Sequence, residues 1–160
     1  MAYWNWNPAY SVAIEVIDHQ HKRLLQYINE LEAAKVYATA ESRQKVNEIL
    51  DKLISYTISH FSFEEKLMED AGYPLLEPHK KVHEAFVERI GFFKQRYKNG
   101  EDIGKQLAYE LQIWLLNHIK EEDSDYKEIV QKSLQAKNVQ PTMEANSNSW
   151  LGSLVNRFFN

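Results

Sequence analysis

Hydrophobic side chains recur every three or four positions in four long stretches of this 160-residue chain. Leu24, Ile28 and Leu31 show the spacing, which is that of one face of an α-helix. Capping and helix-stopping residues set the limits of the stretches. We predict helices from Asp18 to about Ala38, from the 39–42 region to about Asp70, from Pro78 to Asn99-Gly100, and from about Asp102 to about Leu134. Four amphipathic helices joined by short turns predict an all-α, up-down-up-down four-helix bundle.

The two ends of the chain follow other patterns. Residues 1–17 are rich in aromatic side chains and alternate apolar with polar positions around Ile14. No convincing second strand is available to pair with this segment, so we expect an ordered N-terminal arm. After a polar stretch, residues 150–159 place apolar side chains on one helical face. We therefore predict a bundle with its arm in residues 1–135, and a linker with a short amphipathic C-terminal helix in residues 136–160.

The C-terminal helix needs a surface to cover its apolar face. Arg157 is its only cation, and its apolar area is small, which argues against membrane contact. We expect residues 150–159 to pack on their own chain or on a second copy, and a protein partner at this segment remains open.

Composition narrows the chemistry and the partners. The net charge is −4, and basic residues are scattered among acidic ones, which argues against nucleic acid. The absence of cysteine excludes disulfides, thiolate metal sites and a thiol nucleophile. No apolar run reaches transmembrane length, and the N-terminus lacks a signal-peptide pattern. We expect a cytoplasmic protein.

Five of the six histidines fall on inward-facing helical positions. His60 and Glu64 lie four residues apart in the second predicted helix, and His79 and His83 repeat that spacing in the third. Residues at this spacing share a helical face. Imidazoles and carboxylates are costly in an apolar core without a partner, which indicates a shared site. The remaining inward-facing candidates are His21, His118 and Asp123.

This donor set predicts a metal site. Imidazole and carboxylate ligands suit iron, zinc, copper or manganese. Seven protein ligands are too many for one tetrahedral zinc ion, so we expect two metals that share bridging carboxylates. If both carboxylates and a solvent oxygen bridge, the five imidazoles divide three and two. One metal then keeps an open position beside an apolar wall, which suits a small diatomic molecule.

The candidates lie in four short segments of the sequence. These are Asp18-His19-Gln20-His21-Lys22, His60-Phe61-Ser62-Phe63-Glu64-Glu65, His79-Lys80-Lys81-Val82-His83, and Trp114-Leu115-Leu116-Asn117-His118 followed by Asp123. As a set they resemble the hemerythrin family in its single-domain bacterial form, over residues 1–132. The resemblance implies reversible O2 binding at a non-heme di-iron site. It implies two Fe ions that change between Fe2+ and Fe3+, with a bridging oxo or hydroxo group.

The resemblance also implies a role for each candidate. The iron with a complete set of ligands corresponds to His79, His83 and His118. The iron with the open position corresponds to His21 and His60. The two bridges correspond to Glu64 and Asp123. Leu115 and Trp114 match positions that line the O2 pocket, although Leu115 is equally compatible with plain core packing.

The spacing between His118 and Asp123 departs from a regular helix. Five residues correspond to a rotation of about 140°, and Glu122, at four residues, is better placed on an ideal helix. We nevertheless expect Asp123 to be the ligand, because the family's fourth motif has the longer spacing. A local widening such as a π-bulge accommodates it. We expect three other nearby carboxylates to be solvated: Glu65, Glu121 and Glu122. We also expect the His19 imidazole to be solvated.

Two rival functions stay open beside an oxygen carrier for transport, storage or delivery. A ferritin-like di-iron oxidase or peroxidase uses Glu-x-x-His pairs and a carboxylate-rich site, which this chain lacks near its candidates. An O2, NO or iron sensor could act through the C-terminal segment. The histidine-rich set favours reversible binding, and we do not expect an enzyme.

Overall fold

The computed structural model describes residues 4–34, 39–139 and 150–159, and the regular elements in these ranges are helical. After a 3-10 turn at Pro8–Tyr10, the helices are α1 (Glu15–Ala34), α2 (Ala40–Ala71), α3 (Leu76–Lys98), α4 (Gly104–Asn117), α5 (Ser124–Ala136) and α6 (Trp150–Phe159). A π-helical segment, His118–Asp123, joins α4 to α5. The predicted all-α bundle is confirmed, with α4, the π-helical segment and α5 together forming its fourth helix.

Local chemistry explains where α2 begins and ends. The Thr39 hydroxyl caps its first turn by accepting a hydrogen bond from the Ser42 N–H at 3.1 Å. At the other end, Gly72 adopts the left-handed conformation with φ of 69°. Its N–H donates to the carbonyl groups of Met68 and Glu69, as in a glycine-terminated helix. Between these caps α2 runs for 32 residues and reaches from one end of the bundle to the other.

α1 begins at Glu15, three residues before the predicted start. The prediction that Asp18 caps this helix was wrong, because its carboxylate serves the preceding arm. It accepts hydrogen bonds from the Ser11 hydroxyl and from the Val12 N–H, the latter at 2.9 Å. Residues 35–38, the last of the predicted helix, lie outside the described residues.

The N-terminal arm is ordered, and its alternating pattern does not form a strand. Ala13 has a left-handed φ of 56°. This bend lets Val12 and Ile14 both enter the core. The Ala13 carbonyl also accepts a hydrogen bond from the Gln131 side chain of α5, at 3.1 Å. The alternating apolar and polar positions therefore belong to a bent segment that packs on helices, and not to an extended strand that pairs in a sheet.

Two hydrophobic clusters fill the interior. The four-helix cluster draws on α1 to α4 and includes Leu24, Leu50, Phe93 and Leu107. The terminal cluster combines the arm, α2, α5 and α6, and includes Ile14, Phe63, Tyr126 and Leu151. The described residues also bury a polar set: Gln20, His21, Thr57, His60, Glu64, His79, His83, His118 and Asp123. A bundle core this apolar needs a specific reason to enclose so many titratable groups.

α6 packs on its own chain, which is one of the two predicted arrangements. Leu151 and Leu154 are buried in the terminal cluster. The Phe159 ring lies 5.2 Å from the Tyr56 ring and 5.9 Å from the Phe63 ring, both on α2. The division of the chain at residue 135 and a partner at residues 150–159 stay predictions. Among the described helices, each is too short or too polar to cross a membrane.

Candidate metal centre

The seven side chains predicted as ligands meet at one place inside the bundle. Each is buried, with at most 6% of its surface exposed. They come from α1, α2, α3 and the π-helical segment: His21, His60, Glu64, His79, His83, His118 and Asp123. The sixth histidine, His19, is exposed on α1, as predicted.

The π-helical segment places Asp123 beside His118. The two residues are its ends, and Asp123 Oδ1 lies 2.9 Å from His118 Nε2. The other carboxylate oxygen lies 2.9 Å from His21 Nε2 on α1. A regular α-helix would turn Asp123 about 140° away from His118, and the wider π turn corrects this. The predicted widening is confirmed, whereas the side chains of Glu121 and Glu122 lie outside the described part, so their solvation stays a prediction.

The cluster consists of two groups that share two carboxylates. The three-histidine half comprises Glu64, His79, His83, His118 and Asp123. The two-histidine half comprises His21, His60, Glu64 and Asp123. Within each half the candidate ligand atoms lie within 4.8 Å of one another. Because both carboxylates belong to both halves, the arrangement offers two neighbouring cation positions with bridging carboxylates.

The imidazoles present their Nε2 atoms to the shared carboxylates. His60 Nε2 lies 2.6 Å from Glu64 Oε1. On the other side, His83 Nε2 lies 3.5 Å from Glu64 Oε2, and His79 Nε2 lies 3.5 Å from Asp123 Oδ1. A common inward direction for the same ring atom is what a shared cation requires of its ligands.

Two imidazoles donate hydrogen bonds from Nδ1, the ring nitrogen opposite Nε2, to side chains that were not predicted to belong to the site. The His60 Nδ1–H donates to the Gln20 amide oxygen at 2.7 Å, and the His83 Nδ1–H donates to Glu65 at 2.8 Å. Each bond places the proton on Nδ1 and so leaves the lone pair on Nε2, the atom that a cation would bind. Glu65 is 24% exposed and belongs to neither half, but its carboxylate also reaches His83, a contact that the sequence analysis did not predict.

Tyr126 is a further residue near the site that the sequence analysis did not predict. It is fully buried, and its ring lies 5.7 Å from the His79 ring. Burial raises the pKa of its hydroxyl well above the usual value, and the Glu64 and Asp123 charges add to the effect. The available signal was its position, one helical turn beyond Asp123.

Aromatic rings stack on two imidazoles of the three-histidine half. Phe61 stacks on His83 with ring centroids 3.7 Å apart, and Trp114 stacks on His118 at 4.5 Å. Trp114, matched above to the O2 pocket, therefore contacts the half whose ligand set is the larger. Leu115 is buried in the four-helix cluster. The roles of Trp114 and Leu115 in an O2 pocket stay predictions.

The protein groups balance one another's charge. Burial disfavours both carboxylates, yet the imidazoles around them hold the pKa values of Glu64 and Asp123 below their usual range. Burial also disfavours imidazolium, but the neighbouring carboxylates of Asp123 and Glu64 raise the pKa of His21 to about 9 and that of His79 to about 10. For His60 burial prevails and lowers the pKa. Protonated His21 and His79 thus offset charge on the two carboxylates at neutral pH.

Buried atoms without partners indicate what the cluster can hold. Among the described residues, His60 Nε2, His79 Nε2, one oxygen of Glu64 and both of Asp123 are buried without a hydrogen bond. An unsatisfied buried polar group costs about 1–3 kcal/mol, and cations placed between these atoms would satisfy all of them. Imidazole nitrogen and carboxylate oxygen, without sulfur, suit iron. The residues present therefore fit a pair of iron ions.

Comparisons with known proteins agree with this geometry. The family model described as the hemerythrin HHE cation binding domain matches residues 12–130. The chain is 41% identical to bacteriohemerythrin of Stenotrophomonas maltophilia over 99% of each chain. It is 33% identical to myohemerythrin of Theromyzon tessulatum over 78% of this chain and 91% of that one. A crystal structure of wild-type hemerythrin superposes with a TM-score of 0.73 at 26% identity, covering 81% of this chain and 98% of that one.

Proposed function

The chain belongs to the hemerythrin family and binds O2 reversibly at a di-iron centre, and we propose that the seven buried side chains of its two halves are the iron ligands. The observation that carries this assignment is the overlap of the halves, because a shared pair of carboxylates is what two neighbouring ions need. When bound, the iron pair supplies the redox chemistry on which reversible O2 binding depends.

The two halves offer unequal numbers of donors. The three-histidine half provides five protein side chains and the two-histidine half provides four. If both ions take the same additional solvent bridge, the position left for a gas lies in the two-histidine half. His21 and His60 therefore mark the side at which O2 binds in this proposal.

Neighbouring residues prepare the halves for this task. Gln20 and Glu65 fix the orientation of His60 and His83, so that these ligands need not reorganise when iron enters. Leu24, one helical turn after His21, and Leu115, one turn before His118, are buried in the four-helix cluster. Their apolar side chains exclude water from the region and admit an apolar gas.

The donor set also supports a carrier rather than an enzyme. Five imidazoles and two carboxylates contrast with the carboxylate-rich sites of ferritin-like di-iron enzymes. The proposed location is the cytoplasm, supported by a sequence without cysteine, which suits a reducing compartment.

Metal analysis combined with visible spectroscopy tests the proposal. The full chain is loaded anaerobically with Fe2+, exposed to O2, and then returned to vacuum through several cycles. We expect two irons per chain, an absorption band that develops with O2, and loss of that band under vacuum. Metal-free protein taken through the same cycles is the control. Permanent oxidation in the first cycle, or one iron per chain, would contradict the proposal.

A further inference from the structure

A cavity of about 470 Å³ opens between α3 and α4 and ends at His118. Its size lies in the range of about 300–1,000 Å³ that is typical of small-molecule sites. Its apolar wall comes from both helices and includes Phe86, Ile90, Leu107, Leu111 and Trp114. None of the residues that line it belongs to the two-histidine half. A molecule in this cavity would therefore not contact His21 or His60, although it shares Trp114 with the predicted O2 pocket.

Flat rings form one side of the cavity. Phe86 and Trp114 stack at 3.5 Å between centroids and 13° between planes. Trp114 stacks in turn on His118, with 17° between planes. Because the three rings stack face to face, they turn their edges toward a molecule beside the stack, and edge-to-face contacts favour an aromatic partner.

An ion pair stands at the mouth of the cavity. Arg89 on α3 donates from Nε and from its terminal nitrogen to the Glu110 carboxylate on α4, at 3.1 and 3.3 Å. Because Arg89 and Glu110 form a salt bridge with each other, a charged ligand gains little binding energy from either side chain unless it breaks that salt bridge. Gln106 also donates to Glu110 Oε1, at 3.2 Å, so the lone pair left to accept a further hydrogen bond is on Oε2. Asn117 adds an amide to the same lining.

We propose that this cavity binds a neutral, planar aromatic molecule that carries a hydroxyl group, of the phenol or quinol class. The ring lies among Phe86, Trp114 and the aliphatic side chains, and the hydroxyl donates to Glu110. The cavity borders the three-histidine half through Trp114 and His118, and neither imidazole of the two-histidine half lines it.

Equilibrium dialysis with 2-naphthol tests this site on the full chain, both metal-free and iron-loaded. We expect saturable binding of one molecule per chain in both forms, and nuclear Overhauser effects between naphthol and Trp114 indole protons. Binding in the metal-free form separates this proposal from the assignment of the iron ligands. Binding that is absent, unsaturable or located away from Trp114 would overturn it.

Two substitutions on α4 provide a matched pair. Ile113 lines the cavity and is 42% exposed, so Ile113→Trp fills the space without disturbing the core. Tyr109 lies one turn earlier, is 65% exposed and does not line the cavity. Ile113→Trp should weaken 2-naphthol binding about tenfold, which corresponds to about 1.4 kcal/mol, whereas Tyr109→Trp should not change it. Equal effects of the two variants would overturn the site.

The charge of the ligand is tested with 2-naphthalenesulfonate and 2-naphthylmethylammonium. Both share the ring system but carry opposite charges, and each should bind more weakly than 2-naphthol because the Arg89–Glu110 pair is closed. Tighter binding of the anion or of the cation would overturn the neutral class of ligand.

Discussion

The two halves of the metal cluster differ in what supports their imidazoles. In the three-histidine half, His83 donates to the Glu65 carboxylate and is covered by the Phe61 ring. In the two-histidine half, His60 donates to the neutral Gln20 amide. A carboxylate partner makes an imidazole a stronger electron donor than an amide does. The half with more ligands is therefore also the half with the stronger support.

The halves also differ in how the chain supplies them. His79 and His83 leave one helical face of α3 one turn apart, so one rigid element carries two ligands of the same half. His21 and His60 come from different helices, and their rings meet edge to face at 4.8 Å. The two imidazoles of the two-histidine half thus meet only through the packing of α1 on α2, whereas α3 alone sets two of the three imidazoles in the other half. An O2 site placed in the less constrained half leaves the better held iron to anchor the pair.

The largest effect is expected from removing a ligand of the three-histidine half. His118→Ala deletes an imidazole that lies 2.9 Å from Asp123, and it leaves the shared carboxylate without one of its neighbours. The anchoring iron is then short of a ligand, so stable loading with two irons should fail. Iron content per chain and the visible spectrum after anaerobic loading measure this loss.

His19→Ala is the matched control for this experiment, because His19 is an exposed histidine of α1 outside both halves. It should keep full loading. Retention of two irons and an unchanged spectrum in His118→Ala would show that the assignment of the three-histidine half is wrong.

A smaller effect is expected from the residues behind the imidazoles, and it should differ between the halves. Losing such a partner typically costs about 10–100-fold in metal affinity. Glu65→Leu removes a charged acceptor and should lie near the upper end of that range, whereas Gln20→Leu removes a neutral one and should lie near the lower end. Competition with a chelator measures both affinities.

Glu65→Gln and Glu84→Gln refine this comparison. The first keeps an acceptor for His83 and should recover much of the loss. The second changes an exposed carboxylate on α3 that belongs to neither half, and it should have no effect. A loss in Gln20→Leu as large as that in Glu65→Leu would mean that the two halves are equally supported.

The sequence was sufficient to predict the features that depend only on residues close together in the chain. The 3.6-residue period predicts the helices because burial selects one face of each. The same period predicts that His60 joins Glu64 and that His79 joins His83. Asp123 is different, since only the family's longer spacing, and not a regular helix, leads to it. The π-helical segment shows how the chain accommodates that spacing.

The partners behind the imidazoles could not be read from sequence, because they depend on how helices pack. Gln20 meets His60 across 40 positions of the chain, and Glu65 meets His83 across 18. Which polar residue reaches a given ring is set by rotamers and by the rotation of neighbouring helices. The start of α1 was missed for a similar reason, since Asp18 accepts hydrogen bonds from the preceding arm, which a helix pattern does not report.

The smallest difference between the halves is expected in the protons that they release to iron. Metal ligands must be deprotonated, so a cation competes with a proton for each imidazole. His21, with a pKa of about 9, and His79, with a pKa of about 10, each hold one proton at pH 7.5, and they belong to different halves. The lowered pKa of His60 means that its ring is a neutral imidazole, which lacks the second proton that an imidazolium would release.

The imidazoles of each half should therefore release about one proton when iron binds at pH 7.5, or about two per chain, and a water that becomes a bridging hydroxide would release one more. Because the His21 and His79 pKa values are raised, these protons are fully present at neutral pH and are lost as the pH rises through 9 and 10. Adding Fe2+ anaerobically to metal-free protein at pH 7.5 in weak buffer, with a pH-indicator dye, measures the release. His79→Asn should remove one proton from the total at pH 7.5. If His79→Asn released as many protons as the unchanged chain at pH 7.5, the carboxylates would be compensated in another way, and the two halves would no longer be equal in charge.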